Sequence, residues 1–249
     1  ELPSYLDRAT VDVGNGYKDH YEVRYPESVG GALVTEGKLF PKDTILPKEA
    51  LMLDVVEREV REGRRVMVFG WHIELLPRLA RLLQDRLGEP VPILYADKVP
   101  TAKRQAWIDK NIVAKKAKVM VVNPVAVSTG LNNLVHFHTI WYHESPAVNP
   151  IVDRQSIGRI DRIGQKLETK VFRSFYGGTL QEKMYDLLLS KIAISTAADG
   201  LSPEAALMAA GVDPGSFLTG LSIGKELWKL MEEGAAEERP KLKLVARRR

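Results

Sequence analysis

Cysteine is absent from this chain of 249 residues, which excludes disulfides and thiolate metal sites and fits a cytoplasmic location. No apolar run reaches the roughly 18 residues that a membrane span needs, so no membrane partner is expected. No signal-peptide pattern opens the chain, and Glu1 stands where a methionine would, so the chain is expected to be part of a longer protein. A phosphate-binding loop of the form Gly-x-x-x-x-Gly-Lys-Ser/Thr is also missing. Gly37-Lys38 and Gly224-Lys225 lack both the hydroxyl and the glycine frame. No apolar strand ends in the paired acidic residues that hold magnesium. Aromatic residues make up only 7% and are too scattered to form a base-stacking platform, so Trp107 and Trp141 are expected to pack. His136 and His138 alternate along a strand and His143 follows, but no acidic or cysteine partner is placed with them, so no metal site is expected.

What is present is an alternation of apolar strands and amphipathic helices. Residues 1–46 are rich in Gly, Pro, Asp and Tyr and read as an irregular linker or inter-lobe insertion, with the GNG of Gly14 to Gly16 as a turn. Pro47 then opens a helix carrying Met52, Val55, Val56 and Val60, and Gly63 can end it. Buried strands follow at Arg65–Trp71, Val91–Ala96, Lys118–Asn123, His138–His143 and Lys170–Tyr176. Helices are expected over Leu76–Leu87 and Thr101–Ile112, and after a capping box of Thr179 and Glu182. Alternation of this kind implies an α/β fold, a three-layer parallel sheet with helices on both faces. Ligands on such sheets sit at the carboxyl ends of the strands. Short helices at Pro203–Met208 and Lys225–Met231 make a small C-terminal helical extension. The basic tail Arg239–Arg249 reads as a solvated end. The net charge of +4 permits nucleic-acid binding without requiring it.

The most informative segment is QSIGRIDRIGQ, Gln155 to Gln165. Arg159 and Arg162 are spaced by nearly one helical turn, so both guanidiniums are expected to leave one face of a short helix. A guanidinium keeps its charge and its planar fork fits phosphate oxygens. Two such forks suit the charge of a transferring phosphoryl group. Upstream, NPVAVSTGLNNL, Asn123 to Leu134, follows the third strand and offers a glycine and several hydroxyl and amide groups.

Residues 64–195 resemble the second RecA-like lobe of superfamily-two helicases, and within them the bacterial type of the Swi/Snf-like branch. Gln155, Gly158, Arg159, Arg162, Ile163, Gly164 and Gln165 match that family's last motif, and Gly130, Leu131 and Asn132 match its fifth. Asn149, Pro150, Asp153 and Gln155 match the stretch between them. There Glu144 replaces the usual aspartate and Val148 the usual tryptophan. The resemblance implies that Arg159 and Arg162 are arginine fingers, with Gly130, Asn132, Gln155, Gly158 and Gln165 at ATP. It places Ser128, Thr129, Lys103 and Arg104 on nucleic acid.

The lobe is expected over residues 47–195, with the extension and tail over 196–249. It would work as the C-terminal lobe of an ATP-dependent DNA translocase or helicase. Its partners would be the N-terminal RecA-like lobe of the same protein and nucleic acid, double-stranded DNA by resemblance. ATP and Mg would bind only with that first lobe, and none to this chain alone, since the phosphate cradle and the metal carboxylates are missing here. The alternative is a non-catalytic nucleic-acid or protein interaction module built on the same lobe.

Overall fold

The computed structural model describes residues 21–25, 32–37, 44–128, 131, 134–144, 149–198 and 242–248. Two compact units divide the chain: residues 1–44 with 176–242, and residues 45–175 with 243–249. In the first unit, Tyr21, Val23 and Tyr25 alternate with Glu22 and Arg24, a period of two that suits a strand. This segment is β1 (Tyr21–Tyr25), paired antiparallel with β2 (Ala32–Gly37). A hairpin thus stands within the region expected to be irregular. The GNG turn, Pro203–Met208 and Lys225–Met231 lie outside the described residues.

The second unit begins with α1 (Pro47–Arg61), where proline occupies a position that needs no N–H and the Glu49 carboxylate accepts the Leu46 N–H at 2.9 Å. Gly63, at φ +77°, turns the chain into β3 (Val66–Phe69). A 3₁₀ turn, Ile73–Leu75, leads to α2 (Leu76–Leu87), which Gly88 closes in the left-handed conformation. Then come β4 (Ile93–Leu94), α3 (Thr101–Ile108), β5 (Val119–Val122), α4 (Pro124–Ser128), β6 (Thr139–Tyr142), α5 (Pro150–Ile157) and β7 (Lys170–Tyr176). The helix expected to run to Ile112 widens into a π turn at Asp109–Val113.

The five strands pair in parallel in the order β4-β5-β3-β6-β7. The basic tail extends the sheet as β8 (Leu242–Arg248) beside β7, where a solvated end was expected. Alternation along the strands fills both sides of the sheet. Met67, Phe69, Met120, Val122, Ile140 and Tyr142 join a core with Ile108, Ile112 and Val127. The intervening Val66, Val68, Val119, Val121 and Trp141 are buried as well, and α1 and α2 supply Met52, Val56, Leu76 and Leu79 as further buried side chains. Helices therefore cover both faces, as expected for a three-layer α/β fold. Helix α6 (Leu180–Ala198) follows β7 and groups with the first unit rather than with the sheet. At its start the Thr179 Oγ1 accepts the Gln181 N–H and Glu182 reaches back to the Gly178 N–H, a displaced form of the expected capping box.

Candidate nucleotide and nucleic-acid site

The central strand β3 has β5 on one side and β6 on the other, with Phe69 in register with Val122 and Tyr142. The chain after β5 and the chain after β6 thus emerge on either side of the β3 exit, the position in open parallel sheets where ligands bind. Three exits are tied together there. One Glu144 oxygen accepts the Trp71 and His72 N–H groups, both at 2.9 Å, and the other lies 2.5 Å from His72 Nδ1. Asn123 Nδ2 donates to the Trp71 carbonyl at 2.6 Å. Burial alone would push the Glu144 carboxyl up, but the His72 ring and backbone, with the Lys48 charge, outweigh it and hold it below the usual carboxylate range. A Cβ at Gly70 would meet the Leu76 side chain at 2.7 Å, so that buried side chain would have to shift to admit one.

Helix α5 carries the next part. Asn149 caps it, accepting the Ile151 and Val152 N–H groups, and Pro150 follows at its first position. Asp153 is buried and takes a 2.5 Å bond from Arg173 Nη2, whose guanidinium lies 4.1 Å from the centre of the Tyr142 ring. Tyr142 in turn meets Ser156 at 2.9 Å. These contacts fix α5 against β6 and β7, so Asp153, a motif residue, places the turn that follows.

That turn corrects the expected geometry of the arginine pair. The helix stops at Ile157 with Gly158 as its cap, so Arg159 and Arg162 leave a turn and not one helix face. Arg159 Nη1 donates to the Leu131 carbonyl at 3.0 Å and Nη2 to the Ser128 carbonyl at 2.6 Å. Burial, and then the Arg162 charge, pull the Arg159 guanidinium below its ordinary pKa. Arg162 is exposed, and the neighbouring Ile163 is fully so. Gly164, at φ +102°, supplies a bend that other residues resist.

The other expected site residues divide. Lys103 and Gln155 are exposed, and Gly158 is half-buried. Thr129, Gly130 and Asn132 lie outside the described residues. Ser128 is buried, and its hydroxyl donates to the Val125 carbonyl at 3.0 Å. Arg104, expected on nucleic acid, is buried instead: its guanidinium donates to the carbonyls of Val99, Ala126 and Ala96 at 3.0, 3.0 and 3.2 Å. Gln165, expected at ATP, has its amide engaged. Nε2 faces the carbonyls of Val135, Phe137 and Ile160, and Oε1 accepts the Lys166 and Leu167 N–H groups.

A buried charged layer surrounds α1, and no sequence pattern announces it. Glu49 is forked by Arg78 at 2.6 and 2.8 Å. Glu59 binds Thr139 at 2.7 Å, Arg64 at 2.9 Å and Lys170 at 2.9 Å. His143 is fully buried, and neither of its ring nitrogens has a hydrogen-bond partner. Burial, and then the charges of Lys48 and Arg78, hold its pKa well below the ordinary value, so it stays neutral in the fold. The unfolded chain takes up a proton at its histidines below about pH 6.5, and folded His143 cannot follow. Its cost therefore appears as pH falls from there, at about 1.4 kcal/mol per pH unit. His136, whose pKa falls to about 4 mainly through burial, adds a cost of the same sign between about 6.5 and about 4. His143→Leu is expected to raise the melting temperature more at pH 5 than at pH 8. An equal shift at both would show that proton uptake is not the cause.

No family model matches the chain. YwqA of Bacillus subtilis (strain 168), a candidate ATP-dependent helicase/translocase, is 26% identical over 145 residues, which are 56% of this chain and 15% of that protein. The DNA repair and recombination protein RAD54B of Gallus gallus is 33% identical over 104 residues, 41% of this chain and 11% of its own length. The chain thus spans a small part of the relatives it matches. A crystal structure of the C-terminal part of the Fun30 ATPase domain shares the fold, with a TM-score of 0.50 and 20% identity over 60% of this chain and 48% of that one. The chain is a relative of the Swi/Snf-like helicases and translocases. Its α/β unit shares the fold of the C-terminal part of the Fun30 ATPase domain. Among the described residues, no helix is long and apolar enough to cross a membrane, and no three His, Asp or Glu side chains gather as metal ligands.

Proposed function

We propose that this Swi/Snf-like lobe is the C-terminal half of an ATP-dependent DNA translocase or helicase. It works with a first RecA-like lobe that binds ATP and Mg, and it supplies Arg162 to the phosphates across the cleft. The observation that carries this reading is the turn after α5. There Arg159 is held by the Ser128 and Leu131 carbonyls and Arg162 stands exposed three residues on, so one turn carries two guanidiniums. Two cations held together in this way favour an anion between or beside them. ATP supplies the phosphoryl group whose charge Arg162 would meet, and the turn's task is to hold that fork at a fixed place.

Nucleic acid would run along the exits of the strands and over the exposed face of α3. Lys103 is a described cation, exposed on α3, suited to a phosphate there. Phosphate contacts carry no base information, so binding of a duplex is expected to be sequence-blind and to weaken steeply with salt. Duplex affinity of the purified chain, measured across a salt series, tests the reading. Lys103→Ala should lower the salt slope by about one. Tight binding that ignores salt and discriminates sequence would overturn it. The chain alone is expected to show no magnesium-dependent ATP turnover.

A further inference from the structure

Helix α4 is only five residues long, and its carbonyls at the carboxyl end have little helix to bond with. All but one of the groups that meet them are charged. The Val125 carbonyl takes the Ser128 hydroxyl, the Ala126 carbonyl takes Arg104 Nη1, and the Ser128 and Leu131 carbonyls take the two Nη groups of Arg159. Two guanidiniums from elements far apart in sequence therefore cap one stretch of backbone. Each has a second attachment. Arg104 also holds the Ala96 and Val99 carbonyls, the segment between β4 and α3. Arg159 stands in the turn that carries Arg162.

We propose that Arg104 and Arg159 are positioning residues that together hold the backbone of Ala126, Ser128 and Leu131 in place, so that Arg159 acts on the nucleic-acid strip from the nucleotide side. This rests on the function proposed above and deepens it. It divides the arginine pair: Arg162 reaches phosphate, and Arg159 ties the turn carrying Arg162 to the Ser128 and Leu131 carbonyls. Cations at the carboxyl end of a helix also complement its dipole. The planar fork matters because one Arg159 spans two carbonyls three residues apart, which a lysine ammonium cannot do in the same geometry.

Two measurements on the 249-residue chain test this. In Arg159→Gln, amide hydrogen exchange should speed by at least about tenfold over residues 126–135, the scale set by losing two charge-assisted hydrogen bonds, and stay unchanged in β3, β5 and β6. Arg159→Lys should behave like Arg159→Gln. Arg104→Lys should speed exchange over the same segment and over residues 96–99. If the Arg104 variant unfolds, the two Arg159 variants decide the matter. Duplex affinity should fall several-fold in Arg159→Gln with the salt slope unchanged, since no phosphate contact is lost. A slope lowered by about one would make Arg159 a phosphate contact and overturn the proposal. Unchanged exchange over 126–135 would overturn it as well. Should the wild-type chain bind no duplex, the functional reading falls, and the exchange result alone decides the clamp.

Discussion

Arg162→Ala in the two-lobed protein is expected to slow ATP hydrolysis by about a thousandfold, the lower end for loss of an arginine finger. That is about 4 kcal/mol of transition-state stabilisation. The fold should be unaffected, because Arg162 is exposed on the turn and its side chain fills no core. ATP affinity should fall far less than turnover, since the first lobe would make most of the ground-state contacts. Arg162→Lys should recover little, because a point charge does not reproduce the fork. The same variant should leave hydrogen exchange over residues 126–135 unchanged, in contrast to Arg159→Gln. Steady-state kinetics with a melting curve as control make the check. Near-normal turnover in a folded Arg162→Ala protein would reduce this residue to an ordinary surface arginine.

The sheet was legible because strands buried on both faces read as unbroken apolar runs: VMVF, VMVV and TIWY become β3, β5 and β6 with only their ends trimmed. The start of α1 and of α5 was legible for a local reason, proline at the first helical position. The misses have physical causes too. Tyr21, Val23 and Tyr25 carry a strand period that the surrounding glycine and proline obscured. The tail reads as solvated from its charge, yet Leu242 and Leu244 alternate with Lys243, a pattern an outer strand accepts. The spacing of Arg159 and Arg162 suggests one helix face only if the helix continues, and it ends at Gly158.

Side-chain partners were the least legible part of the site. Arg104 looked like a surface cation because its neighbours on α3 are polar. Its three acceptors are backbone carbonyls, and one of them belongs to α4. Gln165 was assigned by resemblance alone, and the resemblance does not say which way the amide points. Glu144 stands in the place of an aspartate, and its partners, Trp71 and His72, lie more than seventy residues away. Backbone acceptors leave no mark in a sequence, and distant pairs leave none in a local pattern.

The same blindness hid the pair with the largest structural consequence, Glu49 and Arg78. Both side chains are nearly fully buried, at 1% and 5% exposure, and they meet as two forks. Arg78→Ala would leave the Glu49 carboxylate in the interior with the Leu46 N–H and without its cation. Removing one partner of a buried pair costs about 3–5 kcal/mol, because the remaining charge is no longer compensated. The loss should appear in urea unfolding at pH 7 as a lower midpoint with an unchanged slope. Replacing both partners, Glu49→Leu with Arg78→Met, should recover much of it, since no charge then stays buried. The single variant Arg78→Met separates desolvation from packing. It keeps the stem, so a packing loss would leave it as stable as the double variant, whereas the uncompensated Glu49 charge should leave it close to Arg78→Ala. If Arg78→Ala cost under about 1 kcal/mol, the pair would be behaving like a solvated surface bridge.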